Sequence, residues 1–162
     1  MIRRPPRSTL FPYATLFRSF EAGVVAIEDL FEADVSVIGL IPPDSDMVEV
    51  AHMGPGTHRH RDELGLSIGR QIRSFGNPVA QCIEQRTLIH VDGRKENVRP
   101  GTPAFVQKMA SICLVPILVD DAPYGVLISG RRDGDAMDRA ECDFLLQLVD
   151  HIGLSVQQSI ML

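Results

Sequence analysis

Ser111 to Gly130 reads SICLVPILVDDAPYGVLISG, two apolar runs separated by a short acidic break. Ser111 to Val119 is dominated by Ile, Leu and Val, the residues that pack best on a pleated surface. Asp120 and Asp121 interrupt it with a turn, and Tyr124 to Ser129 resumes as a second apolar strand. Two strands joined by so short a turn run antiparallel. The C-terminal third therefore supplies one hairpin of an antiparallel sheet, and the rest of the chain must supply further strands and the helices that cover it.

Toward the C-terminus, Asp138 and Glu141 have the spacing of a capping box at the head of a long helix running toward Leu162. Leu145, Leu148, Ile152, Val156 and Ile160 recur on it at steps of three and four, a single apolar stripe. Toward the N-terminus, Pro103 to Lys108 predicts one or two helical turns, Asp92 to Thr102 a loop, and Thr87 to Val91 a short strand. Asn77 followed by Pro78 marks the start of a helix that Val79 to Gln85 continues. Gly54 to Arg73 has no clean period and reads as loop. Met47 to Met53 and Val35 to Ile41 predict two strands of a hairpin, turned by Pro42, Pro43, Asp44 and Ser45. Phe20, Val24, Ile27 and Phe31 make one face of an amphipathic helix over Phe20 to Ala33.

The length of 162 residues, 44% hydrophobic and 23% charged, suits one globular domain with a proper core. Apolar stretches are broken every few positions by Asp, Arg or Gly, so no transmembrane span is expected. Net charge is −5, and four of the basic residues, Arg3, Arg4, Arg7 and Arg18, fall in the first nineteen positions. The acidic remainder lacks the Lys and Arg that displace counterions from a phosphate backbone, which argues against nucleic-acid partners. Cys82, Cys113 and Cys142 are too few and too scattered for a disulfide scaffold, and a reducing cytoplasmic setting is expected.

Residues 1–19 are set apart from this pattern. Pro5, Pro6 and Pro12 interrupt any export helix. Thr9 to Ser19, TLFPYATLFRS, resembles the translation of a common sequencing adapter, with Ala14 where the adapter would encode Thr. On that likeness residues 1–19 are expected to be a disordered, non-native segment, residues 20–162 the domain, and the true N-terminus missing.

The order of elements and several local strings resemble the GAF family of sensor domains over nearly all of residues 20–162. The likeness rests on Ser111, Pro116, Asp120, Asp121, Gly125, Val126 and Leu127, on the run from Gly69 to Asp92, and on the capped final helix. It implies an α+β, PAS-like fold: a central antiparallel sheet of five or six strands in the order 2-1-5-4-3, helices on one face and a ligand pocket under loops on the other. It also implies an input module of a bacterial signalling protein, such as a two-component sensor kinase. Such a module passes its ligand state through terminal helices to an output domain outside this sequence.

A pocket of that kind would draw on His52, Arg70, Phe75, His90, Phe105, Met109, Ser111 and Cys113, each of which has core packing or solvation as its competing reading. The ligand is not legible. Arg94, Lys95, Glu96, Asn97, Phe105 and Lys108 do not reproduce the family's cyclic-nucleotide constellation, and no cysteine between Cys82 and Cys113 is available for a covalent bilin. His58 and His60 lack a third metal ligand. A homodimer is expected through the terminal helices, with Leu145, Leu148, Ile152, Val156 and Ile160 as the dimer stripe. Two alternatives stand beside the sensor: a ligand-free dimerisation module, and a GAF-type methionine sulfoxide reductase, which needs a thiol pair that the cysteine positions do not evidently supply.

Overall fold

The structure, a computed structural model, describes residues 7–73, 76–92, 103–134 and 137–161. Six strands form one sheet: β1 (Val35–Leu40), β2 (Met47–Met53), β3 (Gln71–Arg73), β4 (Ile89–Val91), β5 (Ser111–Val119) and β6 (Ala122–Arg131). Their order is β3-β2-β1-β6-β5-β4, with every neighbouring pair antiparallel. This is the expected order with one strand added, because β3, which lies in the segment read as loop, pairs with Met47 to Glu49 at the edge. The β5–β6 hairpin turns on Asp120 and Asp121, both at positive φ, the two-residue geometry that matches strand twist. Pro116, which cannot donate to a ladder, falls past the end of β4, where β5 is an edge.

Among the described residues, six helices accompany the sheet: α1 (Arg7–Phe31), α2 (Pro55–Arg59), α3 (Arg61–Leu64), α4 (Pro78–Gln85), α5 (Ala104–Gln107) and α6 (Arg139–Met161). One expectation is corrected here: Gly54 to Arg73, expected to be loop, contains two short helices and β3. Helices of four or five residues are too short to show a period, so sequence pattern could not reveal them. Where signals were strong they were local: Asn77 accepts from the Ala80 N–H, and Asp138 accepts from the Glu141 N–H at 2.9 Å.

The two faces of the sheet carry separate cores. On one, α1 and α6 bury Phe20, Val24, Ile27, Leu145, Val149, Ile152 and Val156 against Ile38, Cys113, Val115, Ile117 and Leu127. On the other, α4, α5 and the segment after β2 pack over Val35, Val37, Ile112, Leu114, Val126 and Ile128. A Cβ on Gly153 would stand 2.6 Å from the Leu118 carbonyl oxygen, so glycine there lets α6 lie directly on β5. Phe31 meets Phe144 edge-on, while Gly23 lies beside Leu148 and Ile152, so α1 and α6 run antiparallel. Of the stripe read on α6, Leu145, Ile152 and Val156 are buried within the domain, and Leu148 packs on α1. The side chain of Ile160 lies outside the described residues.

Candidate functional site

The eight residues singled out from sequence do not converge on one place. Phe105 and Met109 are buried in the core on the α4 and α5 side. Cys113 lies in the core beneath α6, His90 is exposed on β4 opposite Cys113, and Ser111 is buried two residues before it. The His90 Nε2 and the Ser111 Oγ are 2.8 Å apart, and the same hydroxyl accepts from the Met137 N–H at 3.3 Å. Arg70 is exposed, and its carbonyl accepts from the Val50 N–H. Phe75 lies outside the described residues.

His52 shows how local geometry redirects a side chain. Strict alternation along β2 puts it on the same face as Val48 and Val50. The pairing shifts between Ile38 and Gly39, so that Ala51 is an extra residue and His52 turns to the α1 side. There its ring meets Phe20 edge-on, with centroids 5.0 Å apart, and its Nδ1 lies 3.8 Å from Glu21. A hollow of about 410 Å³ opens beside it, lined by Glu21, Ala51, His52, Met53, Pro55, His58 and Ile68. That size is right for a small organic ligand.

Burial holds the His52 imidazole below its usual value, with Glu21 pulling weakly the other way. A folded-state value below that of the unfolded chain means the unfolded chain binds more protons on acidification. Stability contributed by neutral His52 is thus present above the ordinary value of 6.5 and is lost as pH falls from there toward the lowered one. The expected result is a Tm that declines as pH falls below the ordinary 6.5, with a shallower decline in His52→Gln. Equal slopes for the two proteins in a thermal-melt series would refute this.

On the other side of Pro55, the Glu28 carboxylate fastens α1 to α2. Its Oε1 accepts from the Gly56 N–H at 2.6 Å. Its Oε2 accepts from the Thr57 N–H at 3.2 Å, the Thr57 hydroxyl at 2.7 Å and the Ser36 hydroxyl at 2.8 Å. The Thr57 Oγ1 in turn accepts from the Ser36 N–H at 2.8 Å. Gly54 is required beside this cluster, since a Cβ there would collide with the Glu28 Oε2 and the Ser36 Oγ. A second hollow, about 280 Å³, lies against it and is lined by Glu28, Asp29, Ala33, Asp34, Pro55, Gly56, Arg59 and His60. His58 and His60 therefore line different hollows, and the Nδ1 of His60 is 3.6 Å from Glu63.

Arg131, at the end of β6, joins the two long helices. Its Nε and Nη2 donate to the Phe31 carbonyl at 3.2 and 2.9 Å, and its Nη2 donates to Glu141 at 2.5 Å. The end of α1, the sheet and the first turn of α6 meet in that one guanidinium.

The sequence model described as GAF domain matches residues 20–157 of this chain. The chain belongs to the GAF family. The GAF fold is matched by solved structures at low identity. One is the GAF domain/HD domain protein from Geobacter sulfurreducens, at 15% identity and a TM-score of 0.73, covering 91% of this chain and 95% of that one. Another is the GAF domain of a two-component sensor histidine kinase from Bacillus halodurans, at 19% identity and 0.64, covering 86% and 95%. A third is the second GAF domain of DevS from Mycobacterium smegmatis, at 14% identity and 0.67, covering 90% and 96%. No curated protein matches the sequence significantly. Among the described residues, no helix of this GAF domain is long and apolar enough to cross a membrane.

Sequence reasoning missed Glu28 and Arg131. Glu28 carried a signal: it sits four residues after Val24 and next to Ile27, so a carboxylate falls at the edge of the buried stripe of α1. Arg131 carried none, because Phe31 lies 100 residues away and Glu141, though only 10 residues on, belongs to a different element.

Proposed function

We propose that this GAF domain is a cytoplasmic sensory input module that binds a small organic molecule and biases an output partner through α1 and α6. The hollow beside His52 carries the ligand reading. It is walled by Met53, Pro55 and Ile68 and polarised at one side by His52, His58 and Glu21, a mainly apolar site with a few polar groups. Its occupant would touch α1 through Glu21 and β2 through His52. Differential contact of that kind is what shifts a conformational equilibrium. The GAF neighbours in a sensor kinase and in DevS support the signalling context. A regulatory rather than catalytic role fits the buried thiols of Cys82 and Cys113, which burial drives away from the reactive thiolate form.

A thermal-shift screen with purines, cyclic nucleotides, haem, bilins and small organic acids tests this. A ligand at about 100 times its Kd adds roughly 2.7 kcal/mol of stability, and Ile68→Asp is expected to abolish the shift. No shift from any compound would favour the second reading, a ligand-free homodimer. That reading draws on Leu146 and Leu154, exposed on the outer side of α6, and Leu30, exposed on α1.

A further inference from the structure

The hollow beside His52 has an uneven charge and an apolar rim. Glu21 brings it a carboxylate whose side chain is 48% exposed, and among the described residues no Lys or Arg lines the hollow with it. Arg18, one turn earlier on α1, is exposed and takes no part in the lining. The group that the fold sets against Glu21 is the His52 Nδ1, at 3.8 Å, beyond ordinary hydrogen-bond range. Burial keeps that imidazole neutral at physiological pH, so it offers a lone pair and no positive charge. The rim is set by Ile68, which is 57% exposed and, among the described residues, is the large exposed hydrophobic that lies off the two long helices. Its position is fixed. The Gly69 N–H donates to the Val50 carbonyl at 2.8 Å, and the Val50 N–H donates to the Arg70 carbonyl at 2.9 Å, so the turn that carries Ile68 is pinned to β2.

We propose that this hollow takes a small monocationic amine, a primary ammonium carried on an aryl or branched alkyl body. The assignment rests on the reading of the hollow as a ligand site and names the class of ligand. The apolar body covers Ile68 and lies on Met53 and Pro55, which removes apolar surface from water. Met53 supplies a flexible, polarisable thioether that adapts to the shape of the body. The ammonium donates to the Glu21 carboxylate in a charge-assisted contact, and its other N–H groups are left for the His52 lone pair and for water. A volume of about 410 Å³ is at the small end of ligand sites, which suits a single ring with a short arm. Other classes fit less well. A carboxylate or phosphate of the same size meets Glu21 with no cation in the lining to offset the repulsion. A neutral molecule strips water from Glu21 and returns no charge to it. A metal ion lacks a ligand set, since no three His, Cys, Asp or Glu side chains among the described residues are grouped to hold one.

The test adds three probes of similar skeleton to the ligand screen: phenethylamine, phenethyl alcohol and hydrocinnamate. Each is titrated into the folded protein at about pH 8, above the ordinary imidazole range, and followed by methyl NMR at Ile68 and Met53. Phenethylamine is expected to shift both methyls saturably, and the alcohol and the carboxylate to bind at least about tenfold more weakly. Glu21→Gln, a neutral replacement at a half-exposed position, is expected to weaken the amine roughly tenfold and leave the alcohol unchanged, so that the two become equal. Ile68→Gln, which leaves the charge alone, is expected to weaken the amine as read at Met53. The spread of methyl signals shows whether each variant is folded. An alcohol or carboxylate that shifts the methyls as strongly as the amine would overturn the amine assignment while leaving the hollow a ligand site. Amine binding that persists unchanged in Glu21→Gln would overturn it as well. No shift at either methyl from any of the three probes would count against the hollow as a site for ligands of this size, and both readings would fall together.

Discussion

Arg131→Ala is expected to lower unfolding free energy by about 3 kcal/mol, because it leaves a nearly buried carboxylate without its counter-charge. The side chains of Arg131 and Glu141 are only 18% and 12% exposed, so water cannot replace the lost contact. The Phe31 carbonyl loses two donors in the same substitution. For a chain of this size the change corresponds to a Tm lower by roughly 8 °C. Arg131→Lys retains charge but not the planar fork that reaches Phe31 and Glu141 together, and is expected to recover only part of the loss. Arg131→Met combined with Glu141→Leu removes both charges and is expected to be more stable than Arg131→Ala alone. A urea titration that gives equal stability for wild type and Arg131→Ala would show that the contact carries no net free energy.

That contact also bears on the proposed output through α1 and α6. The end of α1 and the start of α6 already touch through Phe31 and Phe144, and Arg131 adds a polar link between them. On the proposed sensory role, a shift of α1 at Glu21, beside the 410 Å³ hollow, would reach α6 through Phe31 and this guanidinium. Coupling of this kind requires two arrangements of the clamp, which is why the variant series is informative beyond stability.

How far the sequence could be read follows from the range over which each signal acts. The strand from Ser111 to Val119, the cap at Asn77 and the head of α6 at Asp138 were legible because their causes lie within a few residues. The face on which a side chain sits was less legible. β5 is buried on both sides, so nothing in its apolar run separates Cys113, beneath α6, from Ile112 and Leu114 on the opposite face. In β2 the alternation was present, but the extra residue Ala51 reversed it before His52. A bulge depends on pairing with a distant strand, and the β2 sequence alone does not encode it. The segment from Gly54 to Arg73 failed for a related reason. Its first short helix, α2, is held by Glu28 from another element, and no local period records that dependence.

Glu28→Ala tests that dependence directly and is expected to cost about 3 to 4 kcal/mol, or a Tm lower by roughly 10 °C. Removing the carboxylate leaves the Gly56 and Thr57 N–H groups and the Thr57 hydroxyl without their acceptor, while the fully buried Ser36 hydroxyl keeps the Val24 carbonyl at 3.1 Å. Each buried group left unpaired costs about 1 to 3 kcal/mol, and relaxation of α2 toward water recovers part of the sum. Glu28→Gln keeps one acceptor oxygen but turns an amide donor toward either the Gly56 N–H or the Ser36 and Thr57 donors, so an intermediate loss is expected. Thr57→Val removes one donor and one acceptor together and is expected to cost less than Glu28→Ala. Hydrogen exchange gives the local readout: in Glu28→Ala the Gly56 and Thr57 amides are expected to lose protection before the amides of β5 do. If both regions lose protection together, α2 is part of the global unfolding unit. If neither changes, Glu28 does not hold α2 to α1, and the walls of both hollows beside Pro55 must be fixed by apolar packing alone.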